Sequence, residues 1–181
     1  MAKRISGAIR SLGLAAMLLP GGPAHADNSA AAIKTAFVYN FAKFVEWPAA
    51  AFADERSPLD LCISGPALEG RLQLLEGREA QGHPIRIRSL ASRDAPVGCH
   101  ILVVGELGTA DRAQLLLAAS RTPVLTIADS GDFPREGGMI GLFVAANRVQ
   151  FSVNLGAAQG AGLRLSARLL QLAHSVQGNT P

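Results

Sequence analysis

The chain has no phosphate-binding loop ending in Gly-Lys-Ser/Thr, no Gly-x-Ser-x-Gly elbow and no His-Glu-x-x-His pair. Those absences set aside P-loop nucleotide chemistry, hydrolase-type acyl transfer and zinc-dependent proteolysis. Histidine is scarce: beyond residue 26 only His83, His100 and His174 occur, far apart in sequence. Cysteine is limited to Cys62 and Cys99, and without histidines at ligand spacing two cysteines cannot complete a zinc site. Cys99 and His100 are neighbours, but adjacent residues of a strand point to opposite faces, so they do not read as a nucleophile and its base. No repeat and no low-complexity linker divides the chain, and no stretch is long enough to span a bilayer core of roughly 30 Å. An excess of positive charge is also missing once the N-terminus is set apart. The full chain carries 17 Lys and Arg against 14 Asp and Glu. Three of those bases and none of the acids lie in residues 1–26, so nothing points to nucleic acid or an anionic lipid surface.

The N-terminus itself reads as an export signal. Lys3, Arg4 and Arg10 form a positive region, and Leu12 to Leu19 is an apolar run of signal length. Pro20-Gly21-Gly22-Pro23 breaks any helix, and Ala24-His25-Ala26 supplies the small-x-small pattern that a signal peptidase accepts. Cleavage after Ala26 leaves Asp27 first, with no cysteine there to carry a lipid. The expectation is a cleaved signal at 1–26 and one domain at 27–181, working outside the cytoplasm and not inserted in the membrane. The roughly 155 residues that remain suffice for a single core. In an oxidising compartment an even cysteine count suggests one disulfide, with two independent buried thiols as the alternative. A bridge between Cys62 and Cys99 would stabilise the fold by roughly 4 kcal/mol in the chain-entropy account.

Along that domain the pattern starts with a helix over Ser29 to Glu46, ended by Pro48, with Ile33, Phe37, Phe41, Phe44 and Val45 at helical spacing. Short strands and helices then alternate. Leu59 to Ser64 is a strand, Ala67 to Leu75 a short helix, and Ile85 to Leu90 a half-exposed edge strand. Cys99 to Val104 and Val124 to Ala128 are continuous apolar runs fit for central strands buried on both faces. Asp111 is the expected cap of a helix over Ala113 to Ala119. Met139 to Val144 and Val149 to Asn154 form a β-hairpin, its inner face made by Val149, Phe151 and Val153. A weak helix covers Leu155 to Ala173, interrupted around Gly160 and Gly162. The fold class is therefore α/β: a mostly parallel central sheet flanked by helices, with a C-terminal β-hairpin joining it.

Few residues are candidates for a site. Asp129 stands at the carboxyl end of a buried strand, where open α/β sheets bind ligands, although with no companion carboxylate at the end of the 59–64 strand the sequence favours a structural role. Phe133 lies in the turn that follows. Tyr39 is off the apolar stripe of the first helix, and Trp47 at its exit has an indole N–H to place, so the two suit either a partner surface or the core. Leu163, Leu165 and Leu169 extend the candidate partner surface into the C-terminal segment. Gly137-Gly138 precedes a strand rather than a helix, which favours tight backbone packing over a phosphate cradle. No cofactor, metal ligand set or catalytic residue is expected.

Several segments together resemble the YfiR family. They are Ala36 to Pro48 (AFVYNFAKFVEWP), Leu61 to Gly65 (LCISG) with Cys99 ahead of the next apolar strand, and pieces of Val124 to Ala173: VLTIADS-GDF, GGMIGLF, RVQFSVNL and LRLSARLLQLA. The similarity runs through nearly all of residues 27–181 in the same order. It implies a non-enzymatic periplasmic repressor, expected as a dimer, that binds the periplasmic sensor part of an inner-membrane diguanylate cyclase and keeps cyclic-di-GMP low. It also implies that the family's first disulfide falls on Cys62 and Cys99. A second cysteine pair of some members has no counterpart here, so a two-step redox switch is not carried over. Members also accompany other membrane sensors. The other expectation is thus a small-ligand binding module reporting to a membrane sensor kinase or receptor.

Overall fold

A computed structural model describes residues 24–178, with side chains from Ala30 onward. The expected export signal lies outside the described residues, save that Ala24 to Ala26 start the first helix. In chain order the elements are α1 (Ala24–Phe44), β1 (Val45–Glu46), β2 (Leu59–Ser64), β3 (Glu79–Ala80), β4 (His83–Leu90), β5 (Ile101–Val104), α2 (Thr109–Ala119), β6 (Leu125–Ala128), β7 (Ile140–Ala145), β8 (Arg148–Asn154), α3 (Leu155–Gly160), β9 (Arg164–Leu165), α4 (Ala167–Leu172) and β10 (Ser175–Gln177). Eight strands make one sheet in the order β10-β8-β7-β6-β5-β2-β4-β3, while β1 and β9 pair separately. The run β4-β2-β5-β6-β7 is parallel, and β8 returns antiparallel to β7. This is the expected α/β class with its hairpin joined to the sheet.

Strand alternation sorts the core onto two faces. Leu59, Leu61, Ile101, Val103, Leu125 and Ile127 face α1, whose Val38, Phe41 and Ala42 are buried against them. Cys62, Leu102, Val104 and Ala128 face the other way, toward Leu115 and Leu116 of α2. The hairpin turn is two residues, Ala146 and Asn147, with φ of 48° and 58°. Two successive left-handed residues match the twist of the flanking strands, which fixes the pairing of Phe151 with Leu142 and of Val153 with Ile140.

Several local readings are corrected. α1 stops at Phe44 because Val45 and Glu46 leave it to pair with Leu165 and Arg164. Ile33 and Phe44, both at helical spacing on the apolar stripe of α1, are exposed. The segment after β2 is 3-10 turns over Leu68–Leu75, kinked at Glu69 and Gly70. Gly108, not Asp111, occupies the cap position of α2, and Asp111 sits in the first turn paired with Arg93. The weak C-terminal helix is two short ones, with Asn154 capping α3 through the Ala157 N–H and Ser166 capping α4 through the Leu169 N–H. Residues 175–177, beyond the last element expected from the sequence, add β10 beside β8.

The β4-to-β5 connection bears on the cysteines. β2 lies between those strands, so residues 91–100 must cross it, and they do so without a helix. The Cys62–Cys99 disulfide, with Cα atoms 5.8 Å apart, ties this crossover to the sheet.

Candidate functional site: a crevice at the carboxyl edge of the sheet

The chain leaves β2 toward β4 and leaves β5 toward β6, in opposite directions across the sheet. Between the carboxyl ends of β2 and β5 a parallel sheet opens a crevice, the usual place for a ligand in such folds. The chain fills the site's floor with backbone. Gly105, just past β5, lies so close to Pro66 that a Cβ there would stand 2.0 Å from the Pro66 carbonyl oxygen. The loop then turns through three successive left-handed residues, Leu68 (φ 45°), Glu69 (φ 52°) and Gly70 (φ 71°). Burial of the Leu68 side chain offsets the strain and holds Glu69 at the rim.

Above this floor is a cavity of about 760 Å³, walled by Ala30, Ala31 and Lys34 of α1, the ends of β2 and β4, and Glu106 and Asp129. A smaller recess of about 170 Å³ adjoins it and shares Pro66, Ala67, Leu68, Glu106 and Asp129. Asp129 therefore stands where its sequence position suggests, and Lys34 reaches across from α1 to bond one of its oxygens. The Lys34 side chain is 11% exposed and that of Asp129 44% exposed. Sequence reasoning missed Lys34 and Glu106. Glu106 was findable, since it follows β5 as Asp129 follows β6; Lys34, ninety-five residues from its partner, was not.

The other candidates lie elsewhere. Tyr39 donates its hydroxyl to the Glu79 carbonyl at 2.8 Å and carries the Arg78 guanidinium on its ring, so it binds α1 to β3. Trp47 is half-buried and donates its indole N–H to the His100 carbonyl at 3.1 Å, at the opposite end of the sheet from Asp129. Phe133 is fully buried, and Gly138 lies against its ring with no room for a Cβ, so the Gly137-Gly138 step is tight packing as expected. Leu163 and Leu169 are 1% and 4% exposed, so they belong to the core and offer no surface to a partner. Leu165 is half-buried on β9. Trp47 and Leu165 do share one region, where β1 meets β9. There Phe44 lies exposed beneath the Arg168 guanidinium. Leu172, 69% exposed at the other end of α4, lies instead beside Phe37, Arg148, Val149 and His174.

His100 is occupied on both ring nitrogens: Nδ1 accepts from the Asp60 N–H at 3.0 Å, and Nε2 faces the Ala51 carbonyl at 3.0 Å. It stacks on Phe52, which stacks in turn on His83. An acceptor at Nδ1 requires the neutral ring, and burial pushes the His100 pKa down from its ordinary value, only partly opposed by the Ala51 contact. A depressed folded-state pKa means the unfolded chain takes up the proton first. Stability is thus full above about pH 6.5 and is expected to fall as pH drops through that value. Urea titrations at a series of pH values should show this slope in the wild type. His100→Asn, which keeps an acceptor for Asp60 but cannot titrate, should be less stable at neutral pH and lack that part of the slope.

A curled, mostly parallel α/β domain with one disulfide and a crevice at its carboxyl edge is the class these features define. Residues 31–174 match the YfiR/HmsC-like family, and the chain belongs to it. None of the curated proteins matches the chain. Among the described residues no helix is long and apolar enough to cross a membrane, and no group of three or more His, Cys, Asp or Glu is placed to hold a metal ion.

Proposed function

We propose that the protein is a non-enzymatic periplasmic regulator that binds the periplasmic sensor domain of an inner-membrane diguanylate cyclase and holds the enzyme inactive, keeping cyclic-di-GMP low. Membership of the YfiR/HmsC-like family carries the reading. The engagement of the chemistry-bearing side chains supports it. His100 is bonded at both nitrogens, Asp129 is held by Lys34, and the two cysteines are joined. The contact surface we assign is the one where the end of α1, β1, β9 and α4 meet. Phe44 is its exposed apolar anchor, with the Glu46–Arg164 pair at its rim, and the surface continues along α4 to the exposed Leu172 beside Phe37. It takes in Trp47 and Leu165 but not the buried Leu163 and Leu169.

Deleting the gene should raise cyclic-di-GMP and promote surface attachment, and the wild-type chain should reverse both. Truncating a buried interface anchor typically costs on the order of 2 kcal/mol, a roughly thirtyfold loss of affinity. A Phe44→Ala, Leu172→Ser double variant should therefore fail to repress while keeping its melting temperature and export level. Asp129→Asn should still repress. The contact reading is lost if the folded surface variant represses normally while Asp129→Asn abolishes function.

A further inference from the structure

Residues 47–57 lie between β1 and β2 and pass the amino ends of β2, β4 and β5 without joining the sheet. We propose that they form a strap that a proton opens: once His100 is protonated, Ala51 and Phe52 leave it and Trp47 loosens with them. This needs only the geometry around His100 and stands whether or not the regulatory reading does.

The backbone hydrogen bonds donated by Ala51, Phe52 and Ser57 run to Pro48, Ala49 and Asp54, all within the strap. Among the described residues, its hydrogen bonds to the rest of the chain go to His83 and His100. The Ser57 carbonyl accepts from His83 Nδ1 at 2.7 Å, the Ala51 carbonyl meets His100 Nε2 at 3.0 Å, and Trp47 donates to the His100 carbonyl. Phe52 is clasped between the two imidazoles, with ring centroids 3.9 Å from His83 and 4.3 Å from His100. The Trp47 ring stands edge-on to His100 at 6.5 Å. A segment held this way, with no ladder of its own, opens before the sheet does.

The His100 ring has no place for a second proton. Nε2 faces a carbonyl and so carries the hydrogen, while Nδ1 accepts the Asp60 N–H at 3.0 Å. A proton on Nδ1 would set donor against donor at a residue only 5% exposed. The charged ring must turn away, which takes its face from Phe52 and its Nε2 from Ala51. His83 differs: its Nδ1–H donates to Ser57, and a second proton on Nε2 leaves that bond intact. Burial is the main force against the His100 cation; Asp60 on β2 favours it, and His83 and Arg86 on β4 oppose it. Arg86 and Arg88 are themselves held on the Asp60 carboxylate. Asp54, Glu55 and Arg56 of the strap, and Glu46 before it, are exposed. The pKa of His100 under the closed strap therefore lies below the ordinary value of about 6.5, which the ring regains when the strap opens. Between those two values, each fall of one pH unit shifts the balance up to about tenfold toward the open strap.

The test follows the exported protein from about pH 7.5 to about pH 5, a range that spans the histidine titration. Amide-resolved NMR relaxation reads the strap, and acrylamide quenching reads Trp47, the single tryptophan of the chain. As the pH falls, the heteronuclear NOE of residues 49–57 should drop and Trp47 should become easier to quench, while the amides of β7 and β8 keep their NOE values. Phe52→Ala should show both changes already at neutral pH. His100→Asn, which cannot titrate, should show no step with pH, and His174→Gln, just before β10, should keep the step. The proposal fails if residues 49–57 stay rigid down to about pH 5, or if β7 and β8 loosen at the same pH as the strap. It fails equally if Phe52→Ala stays closed at neutral pH, or if His100→Asn retains the step.

Discussion

Cys62→Ser is expected to destabilise the protein by about 4 kcal/mol, and Cys99→Ser by a similar amount. The bridge closes a separation of 37 residues, and in the chain-entropy account that constraint is lost from the unfolded state when either sulfur goes. Both half-cystines are buried, at 0% and 5% exposure, so the loss is also felt in the packing beneath α2. Against a total stability of roughly 5–15 kcal/mol for a domain, this is a large share. For a chain of this size it corresponds to a fall of about 10 °C in melting temperature. The location adds to the effect. A parallel crossover normally packs a helix on the sheet, and residues 91–100 have none, so the disulfide holds that segment to β2 together with the two His100–Asp60 hydrogen bonds. Local opening of 91–100 should therefore accelerate in the variants, visible as faster amide exchange there than in β7 and β8. The double variant should match either single one, because each already loses the same crosslink. Thermal unfolding with and without reductant measures the effect. Two thiols labelled in the native oxidised protein would remove the bridge from this account.

How far the sequence carried depended on how local each determinant is. β2, the core of β5 and β6, and both hairpin strands are continuous or alternating apolar runs, and their positions came through nearly residue for residue. Asp129 was placed correctly because a strand end is itself a local feature. The misreadings share a cause: the deciding partner is distant in sequence. α1 yields Val45 and Glu46 to a strand more than a hundred residues later. The segment 155–173 reads as one weak helix until β9 is seen to need Val45 opposite it. Phe44 falls on an apolar helical stripe, yet it is exposed, with the Arg168 guanidinium over its ring. Leu163 and Leu169 were read as part of an apolar partner surface, but both leucines turn inward. The cavity was invisible for the same reason, since α1, the 66–70 turn and the carboxyl ends of β2, β4, β5 and β6 meet only in the folded chain.

Phe151→Ala is expected to cost about 4 kcal/mol, comparable with the loss of the disulfide but through a different mechanism. Phe151 is 2% exposed, and alternation along β8 turns it to the same side as Val153, beneath α1. Its ring meets Phe41 edge-on at 5.1 Å and Phe37 at 5.5 Å, so it is the main aromatic link between α1 and the hairpin. Truncation removes the transfer free energy of the ring and leaves a cavity. The sheet cannot close it, because the two-residue turn and the Leu142 pairing fix the strand's position. Phe151→Leu keeps most of the volume and should cost well under half as much. Phe41→Ala should resemble Phe151→Ala, and the double variant should be less destabilised than the sum by about 1 kcal/mol, the part carried by the ring pair itself. Leu172→Ala, on the exposed face of α4, should stay within about 0.5 kcal/mol of the wild type. Urea unfolding of the five proteins decides it. If Phe151→Ala lies within about 1 kcal/mol of wild type, α1 is not seated on the hairpin through this ring, and the packing of that face must be redrawn.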